Sequence, residues 1–148
     1  MQRTPLAEFE PILGKRLEEL WGTPPNLYRA LANHPAIVAA WTEFANTLRH
    51  GSRTPRALRE LVILRGAQMM ASEYEWAQHL RMARRAGVPE AQIGALGAWR
   101  TSPEFDAREK AALTLAEAVT QGRVSDEVHR EVTRHFDDQD YVELAVIA

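Results

Sequence analysis

The sequence predicts an all-α, single-domain helical bundle of about eight helices. Apolar residues recur at helical spacing along the chain, residues that favour helix starts precede these runs, and glycines often follow them. No convincing strand pattern is present. At 148 residues, of which 45% are apolar and 26% charged, the chain is long enough to bury one hydrophobic core.

The first helix is predicted to start at Thr4 and Pro5 and to stop at Gly22. Pro11 lies inside this run and predicts a break, because an interior proline removes a backbone hydrogen bond and clashes with the preceding turn. The apolar positions at helical spacing are Leu6, Phe9, Ile12, Leu13, Leu17 and Leu20.

Two further helices are predicted before residue 52. A short one covers residues 26–32, and a longer one begins at Pro35 and ends at Gly51. The apolar residues predicted to face inward in the longer helix are Ile37, Trp41, Phe44 and Leu48.

The central pair of helices is predicted over residues 54–71 and 72–86. Thr54 is the expected N-cap of the first, with Pro55 at its first helical position, and Gly87 closes the second. The remaining helices are predicted to begin at Val88-Pro89-Glu90, at Ser102-Pro103-Glu104, at Ser125, and at Asp137-Asp138, which caps a last segment from Tyr141 to Ala148.

The predicted domain covers residues 1–148, with an N-terminal helical extension over residues 1–25 and a core over residues 26–148. The apolar segment YVELAVIA at the end of the chain has no C-terminal cap. This pattern indicates either a truncated chain or a segment buried by a partner subunit, and truncation is the favoured interpretation.

Composition excludes several classes of function. A formal net charge of −2 gives no reason to expect nucleic acid or an anionic membrane as a partner. The chain has no cysteine, which excludes disulfides and thiolate catalysis and fits a reducing compartment. The N-terminus lacks the apolar segment of a signal peptide, and no apolar run approaches the ~20 residues that span a bilayer. A cytoplasmic location is therefore predicted.

The stretch SEYEWAQH, residues 72–79, concentrates titratable side chains on a helix face that is otherwise apolar. At helical spacing, Ser72, Glu75 and His79 fall in line with core-forming residues. These three side chains should therefore lie on the buried stripe or at its edge. The apolar members of the face are Trp76, Met82, Ala83 and Ala86.

The preceding helix places Glu60 in line with Leu64, Ala67 and Ala71. The connection near residues 71–73 is short, so the two helices should pack as neighbours. Whether Glu60 then faces His79 depends on where the turn falls.

Burial of an unpaired carboxylate is costly, and a Glu/His pair in a partly dry pocket suits proton transfer near neutral pH. A small pocket for acid/base chemistry is the resulting hypothesis. Two alternatives stay open. Glu75 and His79 could form an ordinary helix pair beside a structural Glu60, or two carboxylates and one imidazole could bind a metal ion.

The stretch RELVILRGAQMMASEYEWAQHLRMARRAGVPEAQI resembles the signature region of the carboxymuconolactone decarboxylase family, which includes the alkyl hydroperoxidase D-type proteins. Flanking stretches such as NLYRALANHPAIVAAW and SPEFDAREKAALTLAEAV resemble the same subgroup, so the similarity covers residues 26–147. The resemblance implies an all-α fold of the alkyl hydroperoxidase D-like type, a homo-oligomer (dimer, trimer or hexamer), a small-molecule substrate and no cofactor.

The peroxidase branch of this family carries a glutamate, eleven residues, Cys-x2-Cys, three residues and a histidine. On this chain the pattern falls on Glu60, Ser72, Glu75 and His79, so both cysteines are replaced. Peroxide reduction in that branch needs a thiolate and a resolving thiol, and peroxidase activity is therefore not expected. The resemblance implies that Glu60 and His79 remain as a proton relay, with Glu75 tuning or replacing the lost thiol.

Four further residues are candidate binding residues. Arg65 lies about one helical turn beyond Glu60, off its line, and is predicted as an anion contact. Tyr28 and His34 are candidate pocket contacts, although capping and packing are the favoured interpretation of both. Trp76 is predicted as a pocket wall or a core residue.

Three arginines, Arg53, Arg56 and Arg59, cluster near a helix start. A solvated helix face is the favoured interpretation of this cluster, with an anion site as the alternative.

The predicted function is cofactor-independent proton-transfer chemistry, either decarboxylation or isomerisation, on a small carboxylated or lactone-type metabolite. Glu60, His79 and Glu75 are the predicted catalytic residues, and Ser72 is predicted to line the site. The alternatives are a hydroperoxidase of the thiol type and a non-catalytic oligomeric binder of small molecules.

Overall fold

A computed structural model of the chain describes residues 4–148, apart from the side chain of Trp21, and every regular element in this part is helical. The predicted all-α class is thereby confirmed. The first three residues of the predicted N-terminal extension lie outside the described residues. Contacts divide the chain into two compact units, one ending at Ser52 and one covering Arg53–Ala148. The single domain inferred from the sequence stays a prediction.

Within residues 4–148, no helix combines the length and the apolar character that crossing a bilayer requires.

The first unit contains three helices: α1 (Pro11–Trp21), α2 (Asn26–Leu31) and α3 (Pro35–His50). Both α1 and α2 pack against α3. The core of this unit consists of Leu17, Tyr28, Ala32 and Val38.

The predicted start of the first helix at Thr4 and Pro5 is wrong, because α1 begins at Pro11. A proline in the first turn costs no hydrogen bond, since the backbone N–H groups there have no partner within the helix. Pro11 therefore begins this helix instead of breaking it. Of the apolar residues expected at helical spacing, Leu6 precedes the helix and is exposed, and Ile12 is 88% exposed.

The bounds predicted for α3 are confirmed, but its inward face is not. Ile37, Trp41 and Phe44 are exposed, whereas Val38 and Thr42 are buried. Thr42 tolerates burial because its hydroxyl group donates a hydrogen bond to the carbonyl oxygen of Val38 at 2.7 Å. A helical face chosen by its apolar residues alone leaves out Thr42 and is therefore the wrong face of α3.

The second unit places α4 at its centre, packed against α5, α7 and α9. One core cluster includes Val62 and Leu115, and the other includes Leu64 and Leu113. The helices of this unit are α4 (Arg56–Met69), α5 (Glu73–Arg85), α6 (Glu90–Ala95) with a 3-10 turn at Leu96–Ala98, α7 (Ala107–Thr120), α8 (Asp126–Val132) and α9 (Asp138–Ile147).

Three of the predicted helix starts are confirmed by their caps. The side chains of Ser72, Ser125 and Asp137 each accept a hydrogen bond from the backbone N–H three residues later. The last helices of the chain and α5 therefore begin where the sequence predicts.

Two other predicted starts are wrong. Thr54 does not cap α4, because its hydroxyl group donates to Glu143 and α4 begins after Pro55. The helix expected from Ser102 begins only after Asp106, which forms a reciprocal capping box with Glu109.

A carboxylate on α7 joins three donors of the second unit. Glu117 accepts hydrogen bonds from Arg65 Nε at 2.8 Å, Trp99 Nε1 at 2.8 Å and Arg100 Nη2 at 2.5 Å. Burial acts to raise the pKa of Glu117, but the hydrogen bonds from Trp99, Arg100 and Arg65 outweigh burial and lower it below its ordinary value of 4.5.

We expect Glu117→Gln to lower the free energy of unfolding at neutral pH. In the variant this free energy should also fall less steeply as the pH is lowered. A lowered pKa in the folded chain stabilises the fold at pH values above 4.5, and this contribution disappears as the pH falls through the folded-state pKa. Urea unfolding measured between pH 7 and pH 3 tests this. The variant should show a shallower decline than the native chain, and exposed Glu104→Gln should not. Parallel declines for native and Glu117→Gln chains would contradict the assignment.

Candidate active site

The helices α4 and α5 form an antiparallel hairpin closed by residues 70–72. Ala71 adopts a left-handed backbone conformation with φ of 50°, and Ser72 N–H donates to the carbonyl oxygen of Ala67 at 2.9 Å. This tight turn fixes which residues of the two helices meet. Residues at similar distances from the turn lie opposite one another.

Glu60 and His79 are such a pair and are in direct contact. Glu60 Oε2 lies 2.7 Å from His79 Nδ1, across a separation of 19 positions. The Glu60 side chain is 0% exposed and that of His79 is 18% exposed. The hairpin therefore brings Glu60 and His79 into contact, which the sequence alone left undecided.

Arg56 is the second partner of the Glu60 carboxylate. Its Nη2 group forms an ion pair with Glu60 Oε1, one helical turn away on α4, and lies 3.7 Å from the sulfur of Met82. The two oxygens of Glu60 thus face different partners, one a guanidinium group and the other an imidazole.

The predicted solvated face of Arg53, Arg56 and Arg59 is wrong for Arg59, which is buried, whereas Arg53 is exposed and Arg56 is partly exposed. Arg53 pairs with Asp137 at 3.0 Å, and Arg59 lies 3.8 Å from Glu143. Arg56 is not among the site residues that the sequence predicts. The signal available was its spacing of four residues from Glu60 on one helix, which is common in solvated helix pairs too.

Glu75 lies at the outer nitrogen of the same imidazole. Its Oε2 atom is 3.5 Å from His79 Nε2, and its side chain is 44% exposed. Arg56, Glu60, His79 and Glu75, here called the relay cluster, therefore form a series of contacts whose carboxylates and imidazole run from full burial to solvent.

Ser72 and Trp76 support this series without entering it. The hydroxyl oxygen of Ser72 accepts a hydrogen bond from Glu75 N at 3.4 Å and so caps α5 directly below the relay cluster. Trp76 is half-buried and packs against the core cluster that contains Leu64. Their predicted roles in lining the site stay predictions.

The structure does not bring Arg65 into the relay cluster. Its guanidinium group pairs with Glu117 and donates to Gln68 Oε1 at 2.8 Å, so the predicted anion contact lacks geometric support.

Tyr28 and His34 belong to the first unit. Tyr28 is buried in its core, and His34 caps α3 by accepting a hydrogen bond from Ile37 N at 3.4 Å. A cavity of about 180 Å³ in this unit is lined by residues between Glu8 and Val38, and neither Tyr28 nor His34 borders it. Their role as pocket contacts stays a prediction.

The two carboxylates face opposite nitrogens of the His79 ring instead of a common point. Consistent with this, the described residues 4–148 contain no group of three His, Asp or Glu side chains arranged to hold a metal ion. The metal-site alternative therefore has no geometric support in this part of the chain.

The contacts of Glu60 determine what His79 can do. A carboxylate paired with arginine only accepts hydrogen bonds, so the ring carries its proton on Nδ1 and donates it to Glu60. In the neutral ring the lone pair is then on Nε2, which lies on the side of Glu75. A histidine oriented in this way can act as a general base at Nε2 and, once protonated, as a general acid.

The region that contains this site matches a known protein family. The model of the carboxymuconolactone decarboxylase family matches residues 35–118, which is more than half of the chain and includes the whole relay cluster. The uncharacterized protein YdfG of Bacillus subtilis (strain 168) is 37% identical over 95 residues, covering 62% of this chain and 65% of YdfG. The uncharacterized protein YnjA of Escherichia coli (strain K12) is 31% identical over 130 residues, covering 86% of this chain and 66% of YnjA. The chain thus spans slightly less than two thirds of the length of either relative.

Solved structures agree with this relationship. ATU0492 of Agrobacterium tumefaciens, described as a protein of unknown function with a proposed role as the antioxidant defence protein AhpD, superposes with a TM-score of 0.67 at 25% identity, covering 74% of this chain and 76% of ATU0492. The debrominase Bmp8, solved as a cysteine-to-alanine variant in complex with 2,3,4-tribromopyrrole, gives a TM-score of 0.81 at 19% identity, covering 99% of this chain and 83% of Bmp8, which shows a shared fold alone. The chain therefore belongs to the carboxymuconolactone decarboxylase family and has its AhpD-like helical fold.

Proposed function

We propose that the protein is an enzyme that transfers protons on a small metabolite, with His79 Nε2 as the reacting base and acid. The observation that carries this proposal is the 2.7 Å contact between the fully buried Glu60 carboxylate and His79 Nδ1. A buried carboxylate that holds the far side of an imidazole fixes the ring and its tautomer, as the acid of a catalytic triad does. Membership of a family that contains enzymes supports the same conclusion.

The proposed chemistry is isomerisation or decarboxylation of a carboxylated or lactone-type compound. In isomerisation, Nε2 takes a proton from carbon next to a carbonyl group, and the electron pair of that bond moves into the carbonyl. The imidazolium then returns a proton to another carbon of the same system. In decarboxylation, the bond to the carboxylate breaks, carbon dioxide leaves, and a protonated His79 supplies the proton that carbon needs.

A hydroperoxidase is the weaker alternative. Ser72 and Glu75 occupy the positions at which the thiol branch carries its cysteines, and the chain contains no cysteine. A hydroxyl group and a carboxylate cannot be oxidised by peroxide and resolved as a pair of thiols can. A non-catalytic binder is the other alternative, and it predicts no dependence of any reaction on His79.

We expect the native chain to catalyse deuterium exchange and isomerisation of α-angelica lactone in D2O, and His79→Ala to fall to the uncatalysed rate. This uncharged lactone has an acidic C–H group next to its carbonyl and is followed by proton NMR. His129→Ala, which removes an exposed histidine from α8, is the matched control and should retain the native rate. Equal rates for native and His79→Ala chains would remove His79 from the mechanism. Consumption of an alkyl hydroperoxide with a thiol reductant would favour the hydroperoxidase instead.

A further inference from the structure

Building on the proposed function, we propose that Glu75 makes this site selective for uncharged substrates over carboxylates. Glu75 stands where the thiol branch of the family carries a cysteine, and its carboxylate lies 3.5 Å from His79 Nε2. The atom at which a substrate would react therefore has a negative charge directly beside it. This choice narrows the proposed substrates to the lactone type.

The positive charges near α4 do not cancel the charge of Glu75. The Arg56 guanidinium group is directed to Glu60, and that of Arg59 faces Glu143. These pairs are internally neutral, so a neutral His79 leaves one net negative charge in the relay cluster, at Glu75. Glu75 is also the most exposed of the four residues of the relay cluster, with 44% of its side chain exposed.

The separation of charges sets the size of the effect. A substrate that brings its reacting carbon to Nε2 would hold an attached carboxylate about 5 Å from Glu75. Repulsion between two unit charges at this separation is worth about fourfold in bulk water and a few hundredfold at the lower effective dielectric constant typical of protein surfaces. For the partly exposed Glu75 we expect a value between these limits, roughly tenfold, and salt reduces it.

An uncharged carbon acid fits the same geometry without repulsion. Nε2 removes a proton from the carbon next to the carbonyl, and the C–H electron pair becomes part of an enolate. The imidazolium then delivers the proton to the distal carbon of the conjugated system, and the ring returns to its neutral form. The proton removed from one carbon is thus returned to another, so the reaction needs no co-reactant.

Alkylation by bromoacetamide and bromoacetate tests this charge selection directly at His79. The two reagents have nearly the same shape, but only bromoacetate carries a carboxylate. With no cysteine in the chain, histidine alkylation can be followed at each of the five histidines by peptide mass spectrometry. We expect the ratio of the amide rate to the acid rate at His79 to exceed that of N-acetylhistidine by about tenfold at low salt. High salt should reduce this excess.

Two variants distinguish Glu75 from the charge of the whole protein. Glu75→Gln should bring the His79 ratio to within about twofold of that of N-acetylhistidine. Glu73→Gln removes an exposed acid from the same first turn of α5 and should leave the ratio unchanged. An unaltered ratio in Glu75→Gln, or no excess in the native chain, would overturn the selectivity while leaving His79 as a base. If neither reagent modifies His79 in the folded native chain, Nε2 is inaccessible and the proposed function falls with it.

Discussion

Replacing Glu60 by Gln should leave the helical fold intact and slow catalysed proton transfer by about 10²- to 10⁴-fold. The two side chains have nearly the same shape, so the hairpin of α4 and α5 should still form. What changes is the hydrogen-bonding character of the group that faces His79 Nδ1. A carboxylate only accepts hydrogen bonds, whereas an amide has one accepting oxygen and one donating NH2 group.

Arg56 decides which way the new amide points. A guanidinium group only donates hydrogen bonds, so it draws the amide oxygen to itself and turns the NH2 group toward His79 Nδ1. His79 must then accept at Nδ1 and carry its proton on Nε2. A ring in that tautomer has no lone pair to offer a substrate, so the variant loses its base without losing its histidine.

The double variant Arg56→Met with Glu60→Gln separates this explanation from a simple loss of charge. Without the guanidinium group the amide can flip, so that its oxygen faces His79 Nδ1. The rate of the double variant should then be about tenfold higher than that of Glu60→Gln. Glu127→Gln, an exposed substitution on α8, is the control and should keep the native rate. The lactone exchange assay serves for all three. A Glu60→Gln chain as fast as the native one would show that the Glu60–His79 contact has no part in catalysis.

Replacing Glu143 by Ala should destabilise the second unit by about 3 kcal/mol, because it leaves buried polar groups without their partner. Glu143 accepts hydrogen bonds from the backbone N–H of Arg53 at 2.7 Å and of Thr54 at 2.9 Å. It also accepts from the Thr54 hydroxyl group and faces the buried Arg59 at 3.8 Å. Burial acts to raise the pKa of Glu143, but the hydrogen bonds from Thr54 and from the backbone, with Arg59, lower it overall.

Urea unfolding followed by circular dichroism at pH 7 measures this loss. Glu131→Ala is the matched control, since it also removes a helical glutamate that pairs with an arginine. The pair of Glu131 with Arg134 is largely exposed, and its removal should cost less than about 1 kcal/mol. Similar losses in the two variants would mean that the buried contacts of Glu143 are not worth more than a surface ion pair.

The sequence predicted which side chains of each helix line the site, because these predictions depend only on patterns within a single helix. Ser72 marks the start of α5 by its cap, and helical spacing alone puts Glu75 and His79 on one face. The same spacing puts Glu60 on the buried side of α4. These relations need only the geometry of a single helix, and the structure shows Glu60 buried and His79 largely buried.

What the sequence did not predict depends on contacts between distant elements. The facing of Glu60 and His79 requires Ala71 in a left-handed conformation, which the residue type does not signal because alanine rarely adopts it. Thr54 has the residue type and position of a helix cap, but its hydroxyl group donates a hydrogen bond to Glu143, which lies far along the chain. From the sequence, the Arg56 guanidinium group could face either solvent or Glu60. It pairs with Glu60 because that carboxylate is buried beside it.

The tie between Glu143 and the residues ahead of α4 acts as a mechanical brace. Arg56 and Glu60 share one helix and move together, so a shift of α4 cannot separate them. Glu60 and His79 lie on different helices, and a displacement of α4 by even an ångström would open their contact. Through Glu143, α9 anchors the backbone at Arg53 and Thr54, directly ahead of α4, and we expect this tie to restrain the helix that carries Glu60. A segment late in the chain thus limits how far Glu60 can move from His79.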